Sequence, residues 1–114
     1  MFRIARRPSL VPIAAAVAAV LVASTVWLQA ASHPISQKGK VFAPGTITVK
    51  AGDAITFKND DDVTHNAFST SKGNEFYAKA QTPGSSADVV FKTKGKAVVK
   101  CAFHPGMSLT VNVE

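Results

Sequence analysis

Cysteine occurs once in the 114 residues, at Cys101, so no disulfide can close within the chain. Arginine is confined to Arg3, Arg6 and Arg7. Everything after them lacks the bidentate donor that phosphate and base recognition rely on, which argues against nucleic acid as a partner. No charge of one sign dominates. The formal net charge is +6, and once the three arginines are set aside ten lysines face seven acids, leaving +3. Such a mild excess permits docking to an acidic protein and is no footprint for nucleic acid. After Leu28 no stretch holds a helical apolar period over three turns, which leaves little room for a helical domain.

What is present begins with an address. Met1 to Arg7 is basic and carries no acid. Leu10 to Leu28 is apolar or small apart from Ser24 and Thr25, and Gln29-Ala30-Ala31-Ser32 adds small residues. Basic, apolar and small segments in that order make a secretory signal. Residues 1–31 are therefore expected to form an N-terminal signal helix, or a membrane anchor if uncleaved, since the apolar run approaches the ~20 residues that span a bilayer. Arg6-Arg7 hints at the twin-arginine route, but Pro8-Ser9 lacks the apolar pair that would support it. The expected location is periplasmic or otherwise exported. Residues 32–40 read as a flexible polar lead and 41–114 as one domain.

That domain has short, strand-like periods. Thr46-Ile47-Thr48-Val49 and Ala54-Ile55-Thr56-Phe57 alternate polar and apolar around the turn Ala51-Gly52-Asp53. Val63 to Thr70 can extend, and 71–86 reads as loops around a short turn at Glu75 to Ala78. Asp88 to Lys92, Ala97 to Cys101 and Ser108 to Val113 complete the set. Short alternating strands with frequent turns predict a β-sandwich or barrel. About 80 residues make a small core of that kind, and small cores commonly need a staple. With disulfides excluded, a metal is the natural candidate.

Export leads to an oxidising compartment, where an unpaired cysteine is a buried thiol, an intermolecular bridge or a ligand. The neighbours of Cys101 decide between these. Cys101, His104 and Met107 stand at i, i+3 and i+6 within one predicted turn. Thiolate and thioether favour Cu(I), and imidazole suits either copper state. A plane of two histidines and a cysteine with a long axial methionine is the arrangement of blue-copper electron-transfer sites. The second histidine is His65 or His33. His65 follows the acidic loop 60–62 at the start of a predicted strand, whereas His33 falls in the lead. Cleavage after Ala30 would make His33 third from a free terminus, a position that can bind Cu(II). Zinc is the rival metal, but structural zinc sites rarely use methionine and prefer more thiolates. A nucleophilic Cys101 paired with His104 lacks an orienting acid or amide.

Val63-Thr64-His65-Asn66-Ala67-Phe68-Ser69 together with Val99-Lys100-Cys101-Ala102-Phe103-His104-Pro105-Gly106-Met107 resembles the cupredoxins, the small type 1 blue copper proteins. The Cys-x-x-His-x-x-Met loop is similar to that of the amicyanin- and plastocyanin-like members, and the likeness covers residues 41 to 114. It implies a Greek-key β-sandwich, an extracytoplasmic location, and one copper ion held by His65, Cys101, His104 and Met107. Two departures concern the surroundings of the site. Ala102 stands where many relatives have a hydroxyl that ties the copper loops through the asparagine after the first histidine, so Asn66 here must bond backbone or lose the tie. Phe103 stands where plastocyanin and amicyanin have proline, and its N–H is expected to join that of Asn66 on the Cys101 sulfur.

The function expected is single-electron transfer by a monomer that meets transient redox-protein partners, not catalysis. The electron would leave by the His104 ring edge beside Phe103, Pro105 and Ala43-Pro44. Lys72, Lys79, Lys94 and Lys96 would steer an acidic partner. The alternative is copper handling or storage in the periplasm without a dedicated redox partner.

Overall fold

The computed structural model describes residues 3–5, 8–9, 11–12, 14–24 and 29–114. The expected N-terminal helix falls partly outside these. Those described between 3 and 24 are in no helix, and none among the described residues is long and apolar enough to cross a membrane. From Ser32 on, the described chain runs β1 (Ser32–Lys38), β2 (Val41–Ala43), β3 (Thr46–Val49), β4 (Ala54–Asn59), β5 (Phe68–Ser69), β6 (Phe76–Tyr77), β7 (Ser86–Val90), β8 (Gly95–Lys100) and β9 (Ser108–Val113). The strands form two sheets, ordered β2-β1-β4-β7 and β3-β9-β8-β5-β6. β1 runs parallel to β4 and β3 parallel to β9, and the other pairs are antiparallel.

Alternation does what the sequence predicts. β4 turns Ile55, Phe57 and Asn59 inward, β8 Ala97 and Val99, and β9 Leu109, Val111 and Val113. A run of aromatic rings holds the two layers together. Phe57 meets Phe42 edge-on at 5.9 Å and Phe76 at 6.1 Å, and Phe76 meets Phe91 edge-on at 5.7 Å. These separations lie within the favourable range for ring pairs.

Two expectations change in detail. The turn Ala51-Gly52-Asp53 does join two strands tightly, but β3 and β4 enter different sheets, so the turn is a corner of the sandwich. Gly52 takes φ +97° there, and its N–H donates to the Phe91 carbonyl at 2.7 Å. The supposed flexible lead is strand β1, in register with β4 from Ser32 opposite Ala54 to Gln37 opposite Asn59. It has one aliphatic side chain, Ile35, and is held largely by polar bonds. Ser36 Oγ donates to Asp60 at 2.7 Å, and Ser32 and Thr56 hydroxyls meet at 2.9 Å. Asp53 closes the far end, accepting the Ala31 and Lys50 N–H groups at 3.1 and 3.0 Å and meeting His33 Nε2 at 2.9 Å.

Phe57 is wholly buried and touches two of the other rings. Phe57→Ala should lower the unfolding free energy by about 3–5 kcal/mol, read from urea midpoints. The His33 bond, followed by the Lys50 N–H, holds the Asp53 carboxyl below its ordinary value. A depressed carboxylate contributes stability above the unfolded pKa of about 3.9 that is lost as pH falls through the folded value. Melting temperature should therefore drop on acidification below about pH 4, and Asp53→Asn should flatten part of that drop.

Candidate metal centre

The first loop of the site is shaped by Asn59, which ends β4 with its side chain buried. Its Nδ2 donates to the carbonyls of Val63 at 2.8 Å and Gln81 at 2.9 Å, and its Oδ1 accepts the Asp61 N–H at 2.9 Å. The loop after β4 is thus folded over one amide. His65 is then fixed by two backbone bonds to Gln81, at 3.1 and 2.6 Å. The Gln81 side chain donates to the Phe57 carbonyl at 2.8 Å. Next, β5 pairs with β8, Phe68 opposite Lys100, which brings the stretch after His65 alongside the residue that leaves β8, Cys101.

The second loop runs from Cys101 to Met107 between β8 and β9, whose ladder ends at Lys100 opposite Ser108. Within it the Met107 N–H donates to the His104 carbonyl at 2.9 Å, closing a four-residue turn. Pro105 stands second in that turn, where its fixed φ is favoured. Cys101 and Met107 are buried in the same core cluster, while Ala102, Phe103, Pro105 and Gly106 face solvent around a half-buried His104.

Three donors converge. His65 Nδ1 lies 3.1 Å from His104 Nδ1, and Cys101 Sγ lies 3.9 and 3.8 Å from the two nitrogens. All three ligand atoms fall within 4.8 Å of one another. A first-row ion bound by nitrogen at about 2.0 Å and thiolate at about 2.3 Å in a trigonal plane would separate them by roughly 3.5 and 3.7 Å. The residues therefore fit a metal ion with shifts of a few tenths of an ångström, and two imidazoles and a thiolate, with the buried thioether of Met107 in the same loop, are of the kind that suits copper. His33 stands apart, engaged with Asp53 at the other end of β4. A recess of about 940 Å³ between β6 and β7 contains none of the donors.

The surroundings of the sulfur differ in part from expectation. Asn66 donates its backbone N–H to Cys101 Sγ at 3.5 Å, and its Oδ1 accepts the Ala102 N–H at 2.7 Å. The tie between the loops is therefore made through backbone, as the missing hydroxyl at Ala102 requires. The Phe103 N–H makes no bond to the sulfur. Among the described residues the one backbone donor reaching it is that of Asn66. The chain bends at Ala102 and Phe103, and Phe103 is 51% exposed.

Electrostatics favour an unprotonated His104. Burial, then the neighbouring His65 and Lys40, holds the His104 imidazole below its ordinary value, which leaves a nitrogen lone pair available. The other nitrogen of His65, Nε2, meets Asp61 Oδ2 at 3.0 Å. Asp61 was passed over in the sequence because three aspartates stand in a row. The signal that could have found it is a carboxylate four residues before a ligand-type histidine.

The profile described as copper binding proteins, plastocyanin/azurin family, matches residues 29–114. The chain belongs to this family. A putative pseudoazurin of Rhizobium leguminosarum bv. viciae is 32% identical over 108 residues, covering 84% of this chain and 68% of the relative. The methylamine utilization protein MauL of Methylorubrum extorquens is 34% identical over 71 residues, and the match covers 61% of each chain. A Cu(I) structure of an amicyanin variant superimposes with a TM-score of 0.68 at 19% identity, over 73% of this chain and 82% of that one. That likeness shows a shared fold, and copper is the metal the family binds.

Because the Asn66 side chain ties the loops through the Ala102 N–H, Asn66→Ala should cost about 0.5–1.5 kcal/mol in metal-free protein. Urea unfolding checks this. Phe103→Pro, which removes an N–H that does not bond the sulfur, should leave the visible spectrum of the copper protein unchanged.

Proposed function

We propose that His65, Cys101, His104 and Met107 hold one copper ion, and that the protein carries single electrons between transient redox partners. The observation that carries this reading is the convergence of two imidazole nitrogens and a thiolate at 3.1 to 3.9 Å. Donors held by backbone bonds and buried amides need little movement when charge changes, which suits electron transfer better than uptake and release. When bound, copper supplies the one-electron couple. The chain's own contribution is to fix the donors. Asn66 donates to the sulfur, the Asn59 and Gln81 amides lock His65, and the buried Met107 closes the site against water.

His104 is the donor nearest solvent, framed by exposed Phe103, Pro105 and Gly106. This apolar rim is the proposed docking face, fit for a small transient interface. Lys72, Lys79, Lys94 and Lys96 are all exposed and would attract an acidic partner. The protein is proposed to act outside the cytoplasm, as a carrier and not an enzyme.

Purified protein titrated with Cu(II) should bind one equivalent and gain an intense visible thiolate charge-transfer band that Cys101→Ser abolishes. Fast electron self-exchange, read by NMR line broadening in mixtures of the two oxidation states, should follow. A colourless, folded protein would overturn the ligand assignment. A coloured protein with slow exchange that hands copper to a recipient would favour copper handling.

A further inference from the structure

A histidine ligand has two ring nitrogens, and what the second one meets sets how the first behaves. In His65, Nδ1 faces Cys101 and His104, and Nε2 faces Asp61 Oδ2 at 3.0 Å. The ring is wholly buried while the carboxylate is 14% exposed, so Asp61 is the lid between the ring and water. Asp61 is itself held. Its Oδ2 accepts the Lys40 N–H at 3.1 Å, its Oδ1 accepts the Asp62 N–H at 3.1 Å, and its own N–H donates to Asn59 Oδ1 at 2.9 Å.

The Lys40 bond comes from an unusual place. Gly39 and Lys40 form the two-residue connection between β1 and β2, with φ +63° and +56°. Positive φ at both positions is the signature of the tight hairpin turn that matches strand twist. Lys40 carries a side chain in that conformation, which is uncommon. The hairpin tip is thus turned so that a backbone N–H points at the carboxylate behind His65. An aspartate carries a negative charge at neutral pH, and the two bonds from His65 and Lys40 place that charge against the outer edge of the ring.

We propose that Asp61, clamped by the β1–β2 hairpin tip, is a positioning and tuning residue of the metal centre. It takes the Nε2–H of His65, fixes the tautomer that presents the Nδ1 lone pair, and feeds negative charge through the ring toward the metal. The inference rests on His65 being a copper ligand. Hydrogen bonds to an ionised acceptor are roughly twice as strong as neutral ones. Partners of ligating histidines typically govern about 10–100-fold in metal affinity. Added negative charge favours Cu(II) over Cu(I), so Asp61 lowers the reduction potential. An exposed ion pair of merely structural worth would not do this.

The test uses the full chain with Asp61→Asn, which keeps the shape and removes the charge. Asp61→Ser serves as a second variant should the first not fold. Asp60→Asn is the control, since it removes the same charge one residue away from a carboxylate bonded to Ser36 rather than to a ring. Cu(II) and Cu(I) affinities are measured by chelator competition and the potential by voltammetry. The Asp61 variants should keep the visible band, lose about 10–100-fold in Cu(II) affinity and lose less for Cu(I). The potential should rise by about 59 mV for each tenfold difference between the two losses. Asp60→Asn should move it much less. An unchanged potential in the Asp61 variants, or an equal shift in Asp60→Asn, overturns the inference. Absence of the band in the unmodified protein would instead overturn the ligand assignment on which it rests.

Discussion

Asn66 grips the Cys101 loop twice, through its backbone N–H on the sulfur at 3.5 Å and its side-chain oxygen on the Ala102 N–H at 2.7 Å. These two bonds span 35 and 36 positions of the chain, and the site exists because they hold. The strand register brings the loops near one another, since Phe68 pairs with Lys100. Register alone leaves the loop beyond Cys101 free to swing. The Asn66 contacts fix its first two residues, and the turn from His104 to Met107 then returns the chain to β9. His104 needs no further anchor to reach His65, because its position follows from where that turn starts.

The same division runs through the whole molecule. Phe42, Phe57, Phe76 and Phe91 fill the sandwich and supply its apolar burial, and their exact identities matter to stability more than to chemistry. The end of the sandwich that carries the donors is ordered instead by buried amides. Asn59, Gln81 and Asn66 all bond backbone there, although Gln81 Oε1 and Asn66 Nδ2 are without a partner among the described residues, and such directed bonds narrow the arrangement where apolar packing would tolerate several. Phe57 belongs to both regimes. Its ring sits in the core while its carbonyl accepts from Gln81, which in turn fixes the backbone of His65.

How much of this the sequence shows depends on which force makes each part. β3, β4, β8 and β9 are built by alternation of aliphatic and polar residues, and that pattern is visible in one dimension. β1 is built by Ser32, His33, Ser36 and a buried Gln37 bonding to residues twenty or more positions away, and a polar segment gives no local sign of such partners. Cys101, His104 and Met107 stand out in the sequence as candidate donors because they share one loop, and His65 because it stands next to Asn66; the structure brings His65, Cys101 and His104 together. The Phe103 expectation failed for a geometric reason. Having an N–H is a property of sequence, but whether it meets the sulfur is set by the course of the backbone through Ala102 and Phe103, where no such bond forms. Asp61 was hidden by Asp60 and Asp62, which have the same chemistry and different directions.

The two histidines end up unlike each other, and that asymmetry follows from their loops. His65 is fixed on both sides, by Gln81 through the backbone and by Asp61 through the ring, and it is fully buried. His104 has no side-chain acceptor on its outer edge among the described residues and lies at the surface within an apolar rim. In the proposed role these properties are complementary. A ligand that is clamped and charge-backed sets the energy of the electron, since its environment does not change when a partner docks. A ligand at the surface sets the route, since docking there replaces water with protein around the ring. Separating the two tasks lets the potential be governed by Lys40 and Asp61 behind His65, while Phe103 and Pro105 remain free to fit a partner.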